Sequence, residues 1–374
     1  MSISIKIFRL WNTLKYLKLI QIYYRLRIYL CAGRMSKIQL NKNKEQQGVR
    51  LTFKKTIEFS LLNSGNSFVF LNCNKNFGEK IDWGFCGNGR LWGYNLNYFE
   101  YLDQQGMQRD EGIRLIQDFM DYCTIVKIGI EPYPLSLRCF NWIRFSIRHN
   151  YSDRQFVKLL YAQLNHLTLK LEYHLLGNHL LENGFALLFG AYYFNDARFY
   201  LKAKRILIPE LKEQILKDGA HFELSPMYHS TILFRVLDCY NLISSNELYN
   251  KELEPLFRQV AERMSEWLNT ISFRDGTIPL LNDAAFCIAP TVGQLNQYAK
   301  DLKLNISRRG GLFDSGYRKF EDEKFEFVFD VGKIGPDYQP GHSHADTFSF
   351  ELHINGRPVI VDTGTSTYEA NAVR

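Results

Sequence analysis

QFVKLLYAQLNHLTLKL, residues 155–171, decides the architecture of this 374-residue chain. Phe156, Leu159, Leu160, Gln163, Leu164, Leu167 and Leu171 recur at i, i+3 and i+4, with Gln163 the one polar member. That spacing lays an apolar stripe along one face of an α-helix. Similar runs recur near 109–127, 135–147, 179–194, 198–216, 227–244, 251–271 and 291–303, most of them separated by short breaks containing Gly, Pro or Asn. Consecutive helices joined by short turns predict an antiparallel array, either a solenoid or a closed toroid of helical hairpins. No strict repeat is visible, which disfavours a regular solenoid.

Near residue 310 the period drops to two. Phe325, Phe327, Phe329 and Val331 alternate with polar or opposite-face residues, as do Phe348, Phe350, Leu352 and Ile354. Asn355-Gly356 then gives a type I′ hairpin signal before residues 357–362. Helices followed by antiparallel strands predict two domains of an α+β chain. The division is a basic N-terminal helical segment at 1–50, a helical array, solenoid or toroid, at 51–305 and a β domain at 306–374. Residues 51–100 read as mixed, with Gly and Asn punctuation. A sandwich needs roughly 100 residues, so the β domain is expected to be the start of an antiparallel β-sandwich, truncated at its C-terminus.

Hydrophobic content of 46% and aromatic content of 15% predict a well-packed globular protein. The formal charge of +7 is unevenly spread: residues 1–50 hold 11 Lys and Arg against one acid, Glu45. The remainder carries 35 basic and 38 acidic residues, which excludes a basic nucleic-acid-binding body. Within 6–34, Lys15, Lys18, Arg25 and Arg27 interrupt every apolar run, so no signal-peptide core or transmembrane span is expected. Two roles fit this segment: a helix packed on the main domain, or a peripheral contact with an anionic membrane surface. Seven scattered cysteines without a C-x-x-C pair read as buried free thiols. Together with the missing export signal they make the cytoplasm the expected location.

Three segments could carry chemistry. In GNHLLENG, residues 177–184, Asn178 has the residue type of an N-cap, a role that alone would account for it, and His179 falls in the first turn. In FELSPMYH, residues 222–229, Ser225 reads as N-cap and Pro226 as the first helical residue. Tyr228 then lies in the first turn, where the helix dipole favours a phenolate; a core tyrosine is the plainer alternative. In GHSHAD, residues 341–346, His342 and His344 point the same way if the segment is extended, and Asp362 lies one hairpin later. These three offer a base, a metal ligand and a carboxylate partner on β structure. His353, on the same strand face as Glu351, is a further ligand candidate without support from spacing.

Taken in order, these segments resemble the heparinase II/III-like polysaccharide lyases. The resemblance covers about 90–370 and includes WGYNLNYFEYL (92–102), YPLSLR (133–138) with Asn141-Trp142, and NHLLEN (178–183). It also includes ELSPMYH (223–229), GHSHAD and DTGT (362–365). It implies an incomplete (α/α) toroid followed by an antiparallel β-sandwich, with the active cleft between them. Carried over by position, Asn178 and His179 match the pair that neutralises the substrate carboxylate. Tyr228 matches the catalytic tyrosine and His342 the catalytic histidine. His344 and Asp362 match two ligands of a sandwich-domain metal, usually zinc; the third is a histidine further along, beyond the end of this chain.

The implied reaction is β-elimination across the glycosidic bond of a uronic-acid-containing polysaccharide, which makes an acidic polysaccharide the expected partner. Tyr94, Tyr98 and Trp142 are candidates to stack on sugar faces, and Arg138 and Arg235 to guide a polyanion. Glu182, Glu223 and His229 lie within the matched motifs as further substrate-binding candidates. Two other readings use the same residues. A toroid glycoside hydrolase needs two opposed carboxylates, for which Glu182, Glu223 and Asp283 are available. A non-catalytic relative would bind polysaccharide or assist its assembly beside a membrane.

Overall fold

The computed structural model describes residues 8, 11–12, 14–31, 38, 47–60, 63–123, 128–306 and 311–365. Its helices are α1 (Leu19–Cys31), α2 (Arg90–Tyr98), α3 (Arg109–Tyr122), α4 (Pro132–His149), α5 (Arg154–Leu169) and α6 (Gly177–Phe194), then α7 (Ala197–Gln214), α8 (Pro226–Ser244), α9 (Glu254–Ile271) and α10 (Val292–Asp301). The eight periodic runs are α3 to α10. The run near 109–127 ends at Tyr122, and its last residues, 124–127, lie outside the described residues. The break residues do local work. Asp153 accepts from the backbone of Gln155 and Phe156 at the start of α5, while Asn150 and Asn195 end α4 and α6 in the left-handed conformation.

Helix α6 is the hub, packing against α4, α5, α7 and α8. It is apolar nearly all round, and every residue from Gly177 to Phe194 except His179 is buried. A helix hydrophobic on all sides belongs inside a ring of others, and this one brings only its N-terminal imidazole to an opening. Elsewhere the interior tolerates charge because it is paired. Arg144 bonds Asp103 at 2.9 Å and Asp238 at 3.3 Å, all three fully buried. Asp238 also accepts from Thr56 and Tyr298.

Two features lay outside the sequence reading. Residues 63–76 form a three-stranded antiparallel sheet, β1 (Asn63–Ser64), β2 (Ser67–Phe70) and β3 (Cys73–Asn76), and α2 follows it. Phe68 and Phe70 of this sheet, with Trp83 and Trp92, join the core of the helical array. The thiol expectation also fails in part: Cys139 and Cys239 are buried, but Cys73, Cys86 and Cys287 are exposed.

The C-terminal sheet runs β4 (Tyr317–Glu321), β5 (Phe325–Asp330), β6 (Phe350–Ile354) and β7 (Arg357–Ile360), antiparallel and in chain order. Asn355 and Gly356 both take positive φ, 51° and 71°, giving the tight β6–β7 turn that their sequence signals. Val331 and Phe348 fall outside the strands, and Phe348 sits at a φ of 71°. The face packed on the helical domain is polar. Glu326 accepts from Arg274 N, Glu351 accepts from Leu280 N, and His353 stacks on Phe273 at 3.7 Å. Phe320, Phe350, Ile354 and Ile360 are exposed.

Of the basic segment at 1–50, much lies outside the described residues. Helix α1 packs on the main domain through Gln21, which donates to Leu175 O, and Tyr24, stacked 4.8 Å from Tyr173. Lys18 pairs with Glu213.

Replacing Arg144 by Met should leave Asp238 buried without its countercharge and cost about 3 kcal/mol. Urea denaturation checks this, and an unchanged midpoint would show the ion pair to be neutral in balance.

Candidate active site

Four segments meet where the helical domain touches the sheet. The first is the N-terminus of α6. Its N-cap is Leu176, so Asn178 is the second helical residue and not the cap. The side-chain Oδ1 of Asn178 is buried without a hydrogen-bond partner. His179 Nδ1 lies 3.1 Å from Glu172 Oε1, and the other oxygen of Glu172 accepts from Asn183 at 2.9 Å. A carboxylate only accepts, so the imidazole proton sits on Nδ1 and the ring is fixed. Tyr133 covers the ring, with centroids 4.6 Å apart. Burial disfavours a charged His179, but the bond and charge of Glu172, aided by Glu223 and Glu182, outweigh it and raise its pKa above the ordinary value.

The second segment is the start of α8. Ser225 caps it as expected, its Oγ accepting from Tyr228 N at 3.2 Å, and Pro226 occupies the first turn. Tyr228 is thereby held half-buried at the cleft.

The third and fourth segments are the turn at 282–284 and the loop carrying His342. This loop, between β5 and β6, is irregular, so His342 and His344 do not sit on a strand as expected. His342 Nδ1 lies 2.7 Å from Asp283 Oδ2, and Thr365 donates to the other carboxylate oxygen at 2.7 Å. Asp283 N in turn donates to His342 O at 3.1 Å. The ring centroids of His342 and Tyr228 are 3.8 Å apart. His342 Nε2 lies 3.5 Å from Glu223 Oε2, while Glu223 Oε1 accepts from Asn178 N at 3.4 Å. Glu223 therefore joins the Asn178–His179 end of the cleft to the Tyr228–His342 end. Burial pushes its pKa up, only partly offset by His342.

Asn282 was not legible as important. It has a φ of 60°, and its amide donates to Leu224 O, Tyr317 Oη and Asp330 Oδ2. Its backbone N–H donates to Asp346, and its Oδ1 accepts from His344 N at 3.2 Å. The only sequence signal is an Asn-Asp pair between two apolar runs, a common turn sign.

Several expected substrate contacts are interior groups. Arg138 is buried, donating to Gln163 at 2.7 Å and Gly129 O at 2.8 Å, and cannot line a cleft. Arg235 and Glu182 pair with each other at 3.1 Å in the core, and Arg235 also binds Glu100. His229 is wholly buried, bonded to His221 N and Met264 O, its pKa pushed down to about 3 by burial. Glu223 is buried and acts through its neighbours. Trp142 packs against Phe99, Phe119 and Phe156. Tyr98 is buried against Tyr133, whereas Tyr94 is half-buried and donates to Glu131 at 3.0 Å. Arg138, Arg235, Glu182 and His229 are each held by a polar partner in the interior, which residue type alone does not reveal.

His344 is exposed, and Asp362 Oδ1 accepts from Gly364 N at 2.8 Å. His353 is buried against Phe273, away from a ligand role. No group of three or more His, Cys, Asp or Glu among the described residues could hold a metal. His344 and Asp362 among the described residues do not by themselves complete a zinc site. A cavity of about 1200 Å³ lies elsewhere, between α9 and β4. Its cations Arg274 and Lys319 are paired with Glu321 and Glu326, so it lacks an acid–base set.

A helical toroid followed by an antiparallel sheet, with two imidazoles and a phenol at their junction, defines the class of fold. The chain belongs to the heparinase II/III-like family: residues 135–303 match the heparinase II/III N-terminus and 308–374 the heparinase II/III-like C-terminal domain. It is 30% identical over 220 residues to a heparin-sulfate lyase of Pedobacter heparinus and 27% identical over 216 to one of Bacteroides stercoris. These alignments cover 52% and 51% of this chain, and 33% and 32% of the relatives. The chain thus spans about a third of the curated relatives it matches. Two heparinase III structures share the fold, each with a TM-score of 0.54 and 18% identity. They align with 79% and 78% of this chain and 56% and 53% of their own.

Glu172→Gln should lower the His179 midpoint, because the carboxylate favours the charged ring. The pair stabilises the fold at low pH and loses that effect as pH rises through the His179 value. NMR titration of the imidazole reads the shift, and an unmoved midpoint would remove Glu172 as the cause.

Proposed function

We propose that this chain carries the reaction cleft of a polysaccharide lyase that cleaves uronic-acid-containing polymers by β-elimination. The observation that carries the reading is the contact between the Tyr228 and His342 rings at 3.8 Å, joined through Glu223 to the N-terminus of α6. Family membership and the two curated relatives named heparin-sulfate lyases support it.

The C5 proton of a uronate is weakly acidic because the neighbouring carboxylate resists further negative charge. Asn178 and a protonated His179 at the α6 N-terminus offset that charge as the enolate develops, an effect strengthened by partial burial and the helix dipole. When the two groups share a ring face, Tyr228 as a phenolate takes the C5 proton and passes it to the O4 leaving group; when they are opposed, His342 takes the C5 proton and Tyr228 gives its own proton to O4. With Nδ1 donating to Asp283, His342 presents Nε2 as its basic nitrogen. Glu182 is committed to Arg235, which argues against the paired-carboxylate hydrolase.

The test is a panel of uronic-acid polysaccharides assayed for ultraviolet absorbance of the unsaturated product, which hydrolysis does not form. Tyr228→Phe and His342→Ala should each lower turnover at least about a hundredfold. Substantial turnover by Tyr228→Phe would remove its proton-transfer role, and cleavage without a double bond would replace elimination by hydrolysis.

A further inference from the structure

Helix α1 leaves one face without a partner. Gln21 is buried and Tyr24 half-buried on the main domain, with Gln21 bonded to Leu175 O. On the opposite side, Leu19, Tyr23, Leu26 and Leu30 are exposed by 85%, 62%, 59% and 79%. Their spacing of four, three and four residues places them in a single stripe along the helix. Trp11, Leu14 and Tyr29 are exposed as well. An apolar stripe of this length in water calls for a covering surface.

The charge on the page says which surface. Lys15 and Arg27 accompany the stripe, whereas Arg25 turns to the packed side and donates to His174 O; residues 1–50 hold 11 basic residues against one acid while the rest of the chain is slightly acidic. A second copy of this face would meet like charge, so self-association through it is disfavoured. Aromatic and leucine side chains set among Lys and Arg match the boundary layer of an anionic bilayer, where the apolar groups enter and the cations meet headgroups. No described helix is long and apolar enough to cross a membrane. We propose that α1 docks the protein in the plane of an anionic lipid surface through Leu19, Tyr23, Leu26 and Leu30, with Lys15 and Arg27 on the headgroups. This inference is independent of the lyase reading. Because α1 is bonded to Leu175, two residues before α6, the surface would lie close to the His179 end of the cleft.

The experiment is sedimentation of the full chain with phosphatidylcholine vesicles, with and without phosphatidylglycerol, at low salt. Binding should need the anionic lipid and weaken as salt rises. Leu19→Glu with Leu26→Glu should abolish it while the circular dichroism is unchanged, since both side chains project into solvent. Lys15→Gln and Arg27→Gln should each weaken it about fivefold. No binding by the parent chain would overturn the proposal. Equal binding by the Leu19→Glu/Leu26→Glu chain would do the same, assigning the affinity to another surface such as the exposed sheet face. So would a dimer that this pair of changes converts to monomer, which would make a second copy the occupant.

Discussion

The pairing of Tyr228 with His342 depends on one short turn. Asn282 and Asp283 sit between the helical domain and the sheet and hydrogen-bond to both. Asn282 reaches Leu224 O, which immediately precedes the cap of α8, and also Tyr317 and Asp330 of the sheet. Asp283 accepts from His342 and Thr365, and its carbonyl accepts from Ser225 at 2.6 Å. The residue that caps the Tyr228 helix is thus bonded to the residue that aims His342. Two side chains 114 positions apart in the chain are brought together by hydrogen bonds to the same two-residue turn. In a partly dry site such bonds are strong when complete and costly when broken.

The electrostatics follow the same economy. Glu172 holds His179, and Asp283 and Glu223 flank His342. These acids fix ring orientation, and the Glu172 carboxylate favours the proton on His179. The cations expected to steer a polyanion, Arg138 and Arg235, instead serve the interior. Under the proposed function, charge would be met by a helix terminus and imidazoles more than by these guanidinium groups.

Much of this was legible from local pattern. The periodic runs became helices because their apolar stripes had a common core to face. Ser225-Pro226 started a helix where capping chemistry says it should, and Asn355-Gly356 turned the last hairpin. The sheet at 63–76 was not legible, because its short strands carry more polar than apolar residues and one turn places Leu71 at positive φ. The extended geometry expected for His342 and His344 failed because long-range bonds to Asn282 and Asp283 shape that loop, and no local pattern encodes them. Arg138, Arg235, Glu182 and His229 were misplaced for the same reason: a buried polar residue is decided by its partner, and that partner is distant in sequence.

The most direct measurement is a double-mutant cycle for product formation with Asp283→Asn and His342→Ala. If Asp283 acts by aiming the imidazole, Asp283→Asn slows the reaction on its own but adds almost nothing once His342 is gone. Fully additive losses would contradict the account, because the two residues would then act independently and the turn would not be what assembles the site.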